Sequence, residues 1–93
     1  MTKILIEVIG VEPPCPKCKT TLKIVNEVVD RLGLRDRVEI VKKDINSDEI
    51  VNKYGVLISP SLAINGEVKI QGRVPLAGEV EKLLKLALEG GRV

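Results

Sequence analysis

The sequence predicts an α/β fold of order βαβαββα, a four-stranded mixed sheet with helices on both faces. Three observations predict it. A near-continuous apolar run, Lys3 to Ile9, is followed by a long stretch of helical spacing from Pro16. A second strand and a short helix then repeat the alternation, which makes the first βαβ unit parallel and right-handed. Finally, Asn65-Gly66 stands between two strand-like runs, the strongest short hairpin signal, because a type I′ turn needs positive φ at both central residues. At 93 residues the chain has room for one domain, 1–93, rather than two independent cores.

Each element follows from local chemistry. Lys3 to Ile9, broken by Glu7, reads as a strand buried on both faces. Pro13 and Pro14 force extended backbone before the first helix. Pro16 suits the first helical position, where its missing N–H has no partner to lose. Leu22, Val25, Val28, Val29 and Leu32 then recur at helical spacing, and Gly33 ends the helix. Val38 to Lys43 reads as the second strand. Asn46 with Glu49 three residues later resembles a capping box opening a short helix that ends near Gly55. Pro60 to Ile64 and Glu67 to Gln71 form the hairpin. Leu76 to Glu89 carries Val80, Leu83, Leu84, Ala87 and Leu88 on one side, a final amphipathic helix stopped by Gly90-Gly91.

Composition narrows the function. Apolar residues make up 44% of the chain, yet Phe and Trp are absent and Tyr54 is the sole aromatic, so Val, Ile and Leu must fill the core. A net charge of +2 shows no concentrated basic stripe, and the stacking platforms that single strands need are missing, so no nucleic-acid partner is expected. The apolar run at the N-terminus is too short for a secretory signal, and nothing approaches the ~20 apolar residues of a membrane span. The expectation is a cytoplasmic protein without a membrane partner. Lys, Glu and β-branched residues are plentiful and Asn, Gln, Met and Cys few, a thermophile-like balance.

Cys15-Pro16-Lys17-Cys18 carries the chemistry. These are the only two cysteines, and the chain has no histidine. At this spacing, at the start of a helix after a strand, two thiols can close a small disulfide ring and reopen it by exchange. The unpaired N–H groups and the positive end of the helix dipole stabilise a thiolate at Cys15. Cys18 lies one turn further in. Cys15 is therefore expected to attack and Cys18 to resolve the mixed disulfide. Other readings stay open at this point: inert core cysteines, a fixed disulfide staple, half of a zinc site completed by another subunit, or a two-thiolate carrier of a soft metal or metalloid.

Further residues accompany the pair. Lys17, Lys19 and Lys23 fall in a stretch, Pro13 to Asn26, that contains no acid. Lysines near a helix start oppose its dipole by roughly 0.3–1 kcal/mol each. They form either an ordinary solvated face or a positive collar that favours the Cys15 thiolate or greets an acidic partner. Ser59-Pro60 opens the third strand. Glu7 is a lone acid in a buried strand, either a proton acceptor or, as expected here, a side chain reaching solvent at the strand end.

Taken together, Cys-x-x-Cys at a helix start, Ser59-Pro60 before a strand and Asn65-Gly66 resemble the thioredoxin/glutaredoxin superfamily, over essentially the whole chain from Ile4 to Leu88. In particular, Leu62 to Ile70 followed by Gly72-Arg73-Val74 is similar to the very small archaeal and bacterial redox-active disulfide proteins. The resemblance implies a thioredoxin-like fold and a thiol–disulfide oxidoreductase exchanging electrons through a redox-active Cys15–Cys18 disulfide, with no other cofactor and no metal. It implies protein disulfide substrates, an upstream reductase, and a cis Pro60 lying against the disulfide. A monomer is expected. The pattern departs in places. Thioredoxin has Gly-Pro between its cysteines, where this chain has Pro16-Lys17. Ile9 stands where thioredoxin has a buried acid. The Gly-Gly-x-x-Asp glutathione element of glutaredoxins is missing, Gln71-Gly72-Arg73 standing nearby, so glutathione use does not carry over. A copper-chaperone fold also sets Cys-x-x-Cys before a helix, but its βαββαβ order ends on a strand, whereas a helix ends this one.

Overall fold

The computed structural model describes residues 3–11 and 16–89. The expected extended segment at Pro13-Pro14 and the Gly90-Gly91 stop lie outside those residues. Four strands and three helices follow the predicted order: β1 Ile4–Gly10, α1 Pro16–Arg31, β2 Val38–Asp44, α2 Asp48–Tyr54, β3 Ser61–Ile64, β4 Glu67–Gln71 and α3 Ala77–Leu88. A short 3₁₀ turn, Arg35–Arg37, which the apolar periodicity did not signal, leads into β2. The sheet order is β2-β1-β3-β4, with β1 parallel to β2 and the other pairs antiparallel.

The central strand β1 separates two cores because successive side chains point to opposite faces. Ile4, Ile6 and Val8 pack with Val25, Val28 and Val29 of α1 and with Val80 and Leu84 of α3. Ile9 packs on the other face with Ile45, Ile50 and Ala63, against which Tyr54 and Leu57 lie. Helices therefore cover both faces, α1 and α3 on one and α2 on the other.

Turn chemistry sets the ends. Gly33, at φ 70°, closes α1: its N–H reaches Asp30 O at 3.1 Å and the Leu34 N–H reaches Val29 O at 2.9 Å. That paired arrangement satisfies carbonyls which would otherwise be orphaned. Asn65 and Gly66 both have positive φ, 51° and 84°. Asn65 does more than turn the hairpin. Its side-chain oxygen accepts from the Leu5 N–H at 2.9 Å and its own N–H donates to Leu5 O at 2.8 Å, which locks the hairpin to β1.

Several boundaries, those of β1, β2 and α3 among them, shift by one residue from the sequence expectation, and two further differences bear on capping and on the site. Ser47, not Asn46, caps α2: its hydroxyl accepts from the Ile50 N–H at 3.3 Å. Glu49 instead pairs with Lys43 at 3.1 Å, so the capping-box reading of Asn46 with Glu49 is corrected. β3 begins at Ser61, one residue after Pro60.

α3 is tied at its start by Glu79. Its carboxylate accepts the Leu76 N–H at 2.9 Å and two bonds from the Arg73 guanidinium at 2.8 and 2.6 Å. The Arg73 bonds, then the backbone bond, hold the Glu79 carboxyl down at about 2. The folded value lies below the ordinary carboxylate value of 4.5, so this contribution is fully present above about 4.5 and lost as pH falls through about 2. Glu79→Gln is expected to flatten the stability profile between those pH values. Denaturant titrations of both proteins across that range check it.

Candidate functional site

The site forms where the end of β1, the start of α1 and the segment before β3 converge. Cys18 is the third residue of α1 and is buried on its inner face with Thr21, Val25, Val28 and Val29. Thr21 donates back to Lys17 O at 2.9 Å, so its hydroxyl is satisfied within the helix. Pro16 and Lys17, between the two cysteine positions, are exposed. Cys15 itself lies outside the described residues.

Opposite Cys18 runs the segment Ile58-Ser59-Pro60. The Ser59–Pro60 peptide is cis, and Pro60 is buried. Ser59 Oγ lies 3.3 Å from Cys18 Sγ, a hydrogen bond in which either atom can donate. The segment is held by the end of β4. The Gly72 N–H bonds Ile58 O and Pro60 O at 3.2 and 2.8 Å, and Gln71 Oε1 accepts from the Ile58 N–H at 3.2 Å. Ser61 is buried and donates its hydroxyl to Ile58 O at 2.7 Å. Each bond fixes backbone that would otherwise be free to move away from the sulfur.

Gly10 completes the enclosure. A Cβ built there would stand 2.4 Å from Cys18 Sγ and 3.4 Å from Ser59 Oγ. Gly10 is thus the floor on which the thiol rests. Sequence reasoning passed over it, although a glycine ending a buried strand is a known mark of close approach. Gln71 and Gly72 were missed as well, because their role is to hold a distant loop.

Glu7 is corrected. It does not reach solvent but is buried, 1% exposed, on the α2 face of β1. Its Oε1 accepts from the Tyr54 hydroxyl and lies 3.3 Å from Lys53 Nζ. Lys53 also rides over the Tyr54 ring, 5.1 Å from its centre. Burial, then the bond to Glu7, pushes the Tyr54 phenol up. The bond to Tyr54 is the largest influence raising Lys53. Glu7 and Gly10 have opposite parity on β1, so the carboxylate projects away from the face on which Cys18 sits. Ile9, the position matching thioredoxin's buried acid, is packed among aliphatic side chains.

Comparison with known proteins gives the family. A thioredoxin domain family model matches residues 4–85. The chain belongs to the thioredoxin family. A thioredoxin of Methanocaldococcus jannaschii is 32% identical over 97% of this chain and 99% of its own length. One from Methanothermobacter thermautotrophicus is 36% identical over 75% and 86%. Among solved structures, chloroplastic thioredoxin z superposes with a TM-score of 0.70 at 17% identity, over 96% of this chain and 80% of that one. Mitochondrial thioredoxin 3 from Saccharomyces cerevisiae gives 0.64 at 19% identity, over 91% and 79%. This thioredoxin-family protein is a disulfide oxidoreductase on the thioredoxin-like α/β fold. Among its described residues, no helix is long and apolar enough to cross a membrane.

Proposed function

We propose that Cys15 and Cys18 exchange a dithiol for a disulfide with protein substrates. The Cys15 thiolate attacks one sulfur of the substrate disulfide, forming a mixed disulfide and releasing one substrate thiolate. The Cys18 thiolate then attacks Cys15 Sγ, closes the Cys15–Cys18 disulfide and releases the second substrate thiol. Two electrons and two protons pass to the substrate, and an upstream reductase must restore the dithiol. No further cofactor enters these steps.

The observation that carries this reading is the placement of Cys18. Its buried sulfur is held between Gly10 and Ser59, next to the Ser59–Pro60 peptide. A sulfur enclosed in this way suits the resolving role and leaves the first attack to the cysteine one turn earlier. Val56 and Ile58, which precede Ser59 by three and one residues, are 90% and 64% exposed, while Leu57 packs on the second core. That apolar lip supports a polypeptide as substrate rather than a small disulfide. Family membership supports the reductase partner, and the family match over residues 4–85 supports the reading of 1–93 as one thioredoxin-like domain; the setting proposed is cytoplasmic.

The test is the trapped intermediate. Cys18→Ser is expected to accumulate a mixed disulfide with a chain of disulfide-bonded insulin or with a reporter protein disulfide, whereas Cys15→Ser traps nothing. The unsubstituted protein should reduce insulin with dithiothreitol as donor. Trapping through Cys18 in the Cys15→Ser protein would reverse the roles. Failure of the unsubstituted protein to reduce insulin, with metal found on it by mass spectrometry, would point to a carrier instead.

A further inference from the structure

We propose that the exposed lysines of α1 form a docking collar for partners whose disulfide is flanked by carboxylates. The inference rests on the exchange reading above and names the chemistry of the partner. Lys17 adjoins Cys18, and Lys19 and Lys23, four residues apart, share one side of the helix. All three are exposed, while Cys18, Thr21 and Val25 face inward.

Among the described residues, no carboxylate neutralises their charges. Arg31, Arg35, Lys43, Lys53, Lys69, Arg73 and Lys85 each lie within 3.3 Å of a carboxylate oxygen. Among the described residues, Lys17, Lys19 and Lys23 have no such partner, and the first acid on α1 is Glu27. Lysines in the opening turns of a helix also work against its dipole. These three exposed cations of the first half of α1, of which Lys17 and Lys19 lie close enough to its start to oppose the dipole, have no carboxylate partner among the described residues and match an incoming negative surface. The apolar lip at Val56 and Ile58 supplies contact area, and the collar supplies steering and orientation.

The experiment compares three oxidised substrates of the reduced protein. Two are peptides with the same disulfide core, one flanked by Asp and Glu, the other by Lys. The third is the neutral bis(2-hydroxyethyl) disulfide. At low ionic strength the acidic peptide is expected to react about tenfold faster than the basic one, with the difference collapsing near 0.5 M salt, roughly where screening lengths fall to a few ångströms. Because both peptides meet the same thiol, their ratio cancels any change in thiol reactivity. The triple variant Lys17→Glu, Lys19→Glu, Lys23→Glu should invert that ratio, and the triple Gln variant should bring it close to one. Equal rates for the two peptides, or an unchanged ratio in the Glu variant, overturn the collar. In that case a normal rate with the neutral disulfide shows that exchange itself stands. Failure of all three substrates removes the exchange reading and the collar with it.

Discussion

Gly10→Ala is expected to lower the stability of the folded chain by about 1–3 kcal/mol, the usual cost of forcing extra atoms into a packed site, and to slow thiol exchange. The new methyl would stand 2.4 Å from Cys18 Sγ, far inside contact distance. Relief has to come from one of two rigid elements. Gly10 is bound into the sheet opposite Asp44, and Cys18 is set in the first turn of α1. Rotating the Cys18 side chain away would break its bond to Ser59. At about 4–8 °C per kcal/mol for a domain of this size, the loss should be plain in a melting curve. Gly78→Ala is the control. Nothing lies within 4 Å of a Cβ at that position on α3, so it is expected to be neutral or slightly stabilising. A Gly10→Ala protein that melts with the unsubstituted one and exchanges at its rate would show that the sulfur is not held as described.

The second large effect concerns Glu7. The double variant Lys53→Ala, Tyr54→Phe leaves a buried carboxylate without the two groups that satisfy it. Its expected cost is about 3–5 kcal/mol, typical of a buried charge deprived of its partners. Glu7→Gln keeps shape and acceptor and should cost less, about 1–3 kcal/mol. Lys53 adds less by itself than a fully buried cation would, since its side chain is 40% exposed and water screens it. The cluster also gives an alkaline signature. Tyr54 and Lys53 are both raised from their ordinary values of 10.0 and 10.5. A raised value in the folded state means that the contribution is whole below the unfolded value and lost as pH rises through the folded one. Stability should therefore decline above about pH 10, less steeply in Tyr54→Phe, as read from unfolding midpoints between pH 8 and 11. An equally steep decline in both proteins would remove Tyr54 from the account.

The second core, on the α2 face, is where sequence reasoning fell short. A lone acid in an apolar strand is compatible with a strand end in water or with a buried pair. Choosing between them requires knowing that α2 brings Lys53 and Tyr54, some 46 residues later in the chain, back over Glu7. The α2 cap failed for a more local reason. Asn46 and Ser47 are both good caps, and the buried position of Ile50, 0% exposed, selects the helix start that Ser47 allows.

By itself the sequence determined the order of elements, the parallel βαβ start, the hairpin at Asn65-Gly66, the ends of α1 at Pro16 and Gly33, and the cysteine pair. These follow from dihedral preference, side-chain period and the missing N–H of proline, all of which act within a few residues of one another. Only the tertiary structure decided that Gly10 is the floor beneath Cys18, that Ser59 lies beside its sulfur, that Gln71 and Gly72 hold the Pro60 segment, and that Glu7 is buried against α2. Those depend on which residues the packed sheet brings together, from 8 positions apart for Gly10 and Cys18 to 46 for Glu7 and Lys53, and such contact between elements is set by the filling of the core, which no local preference encodes.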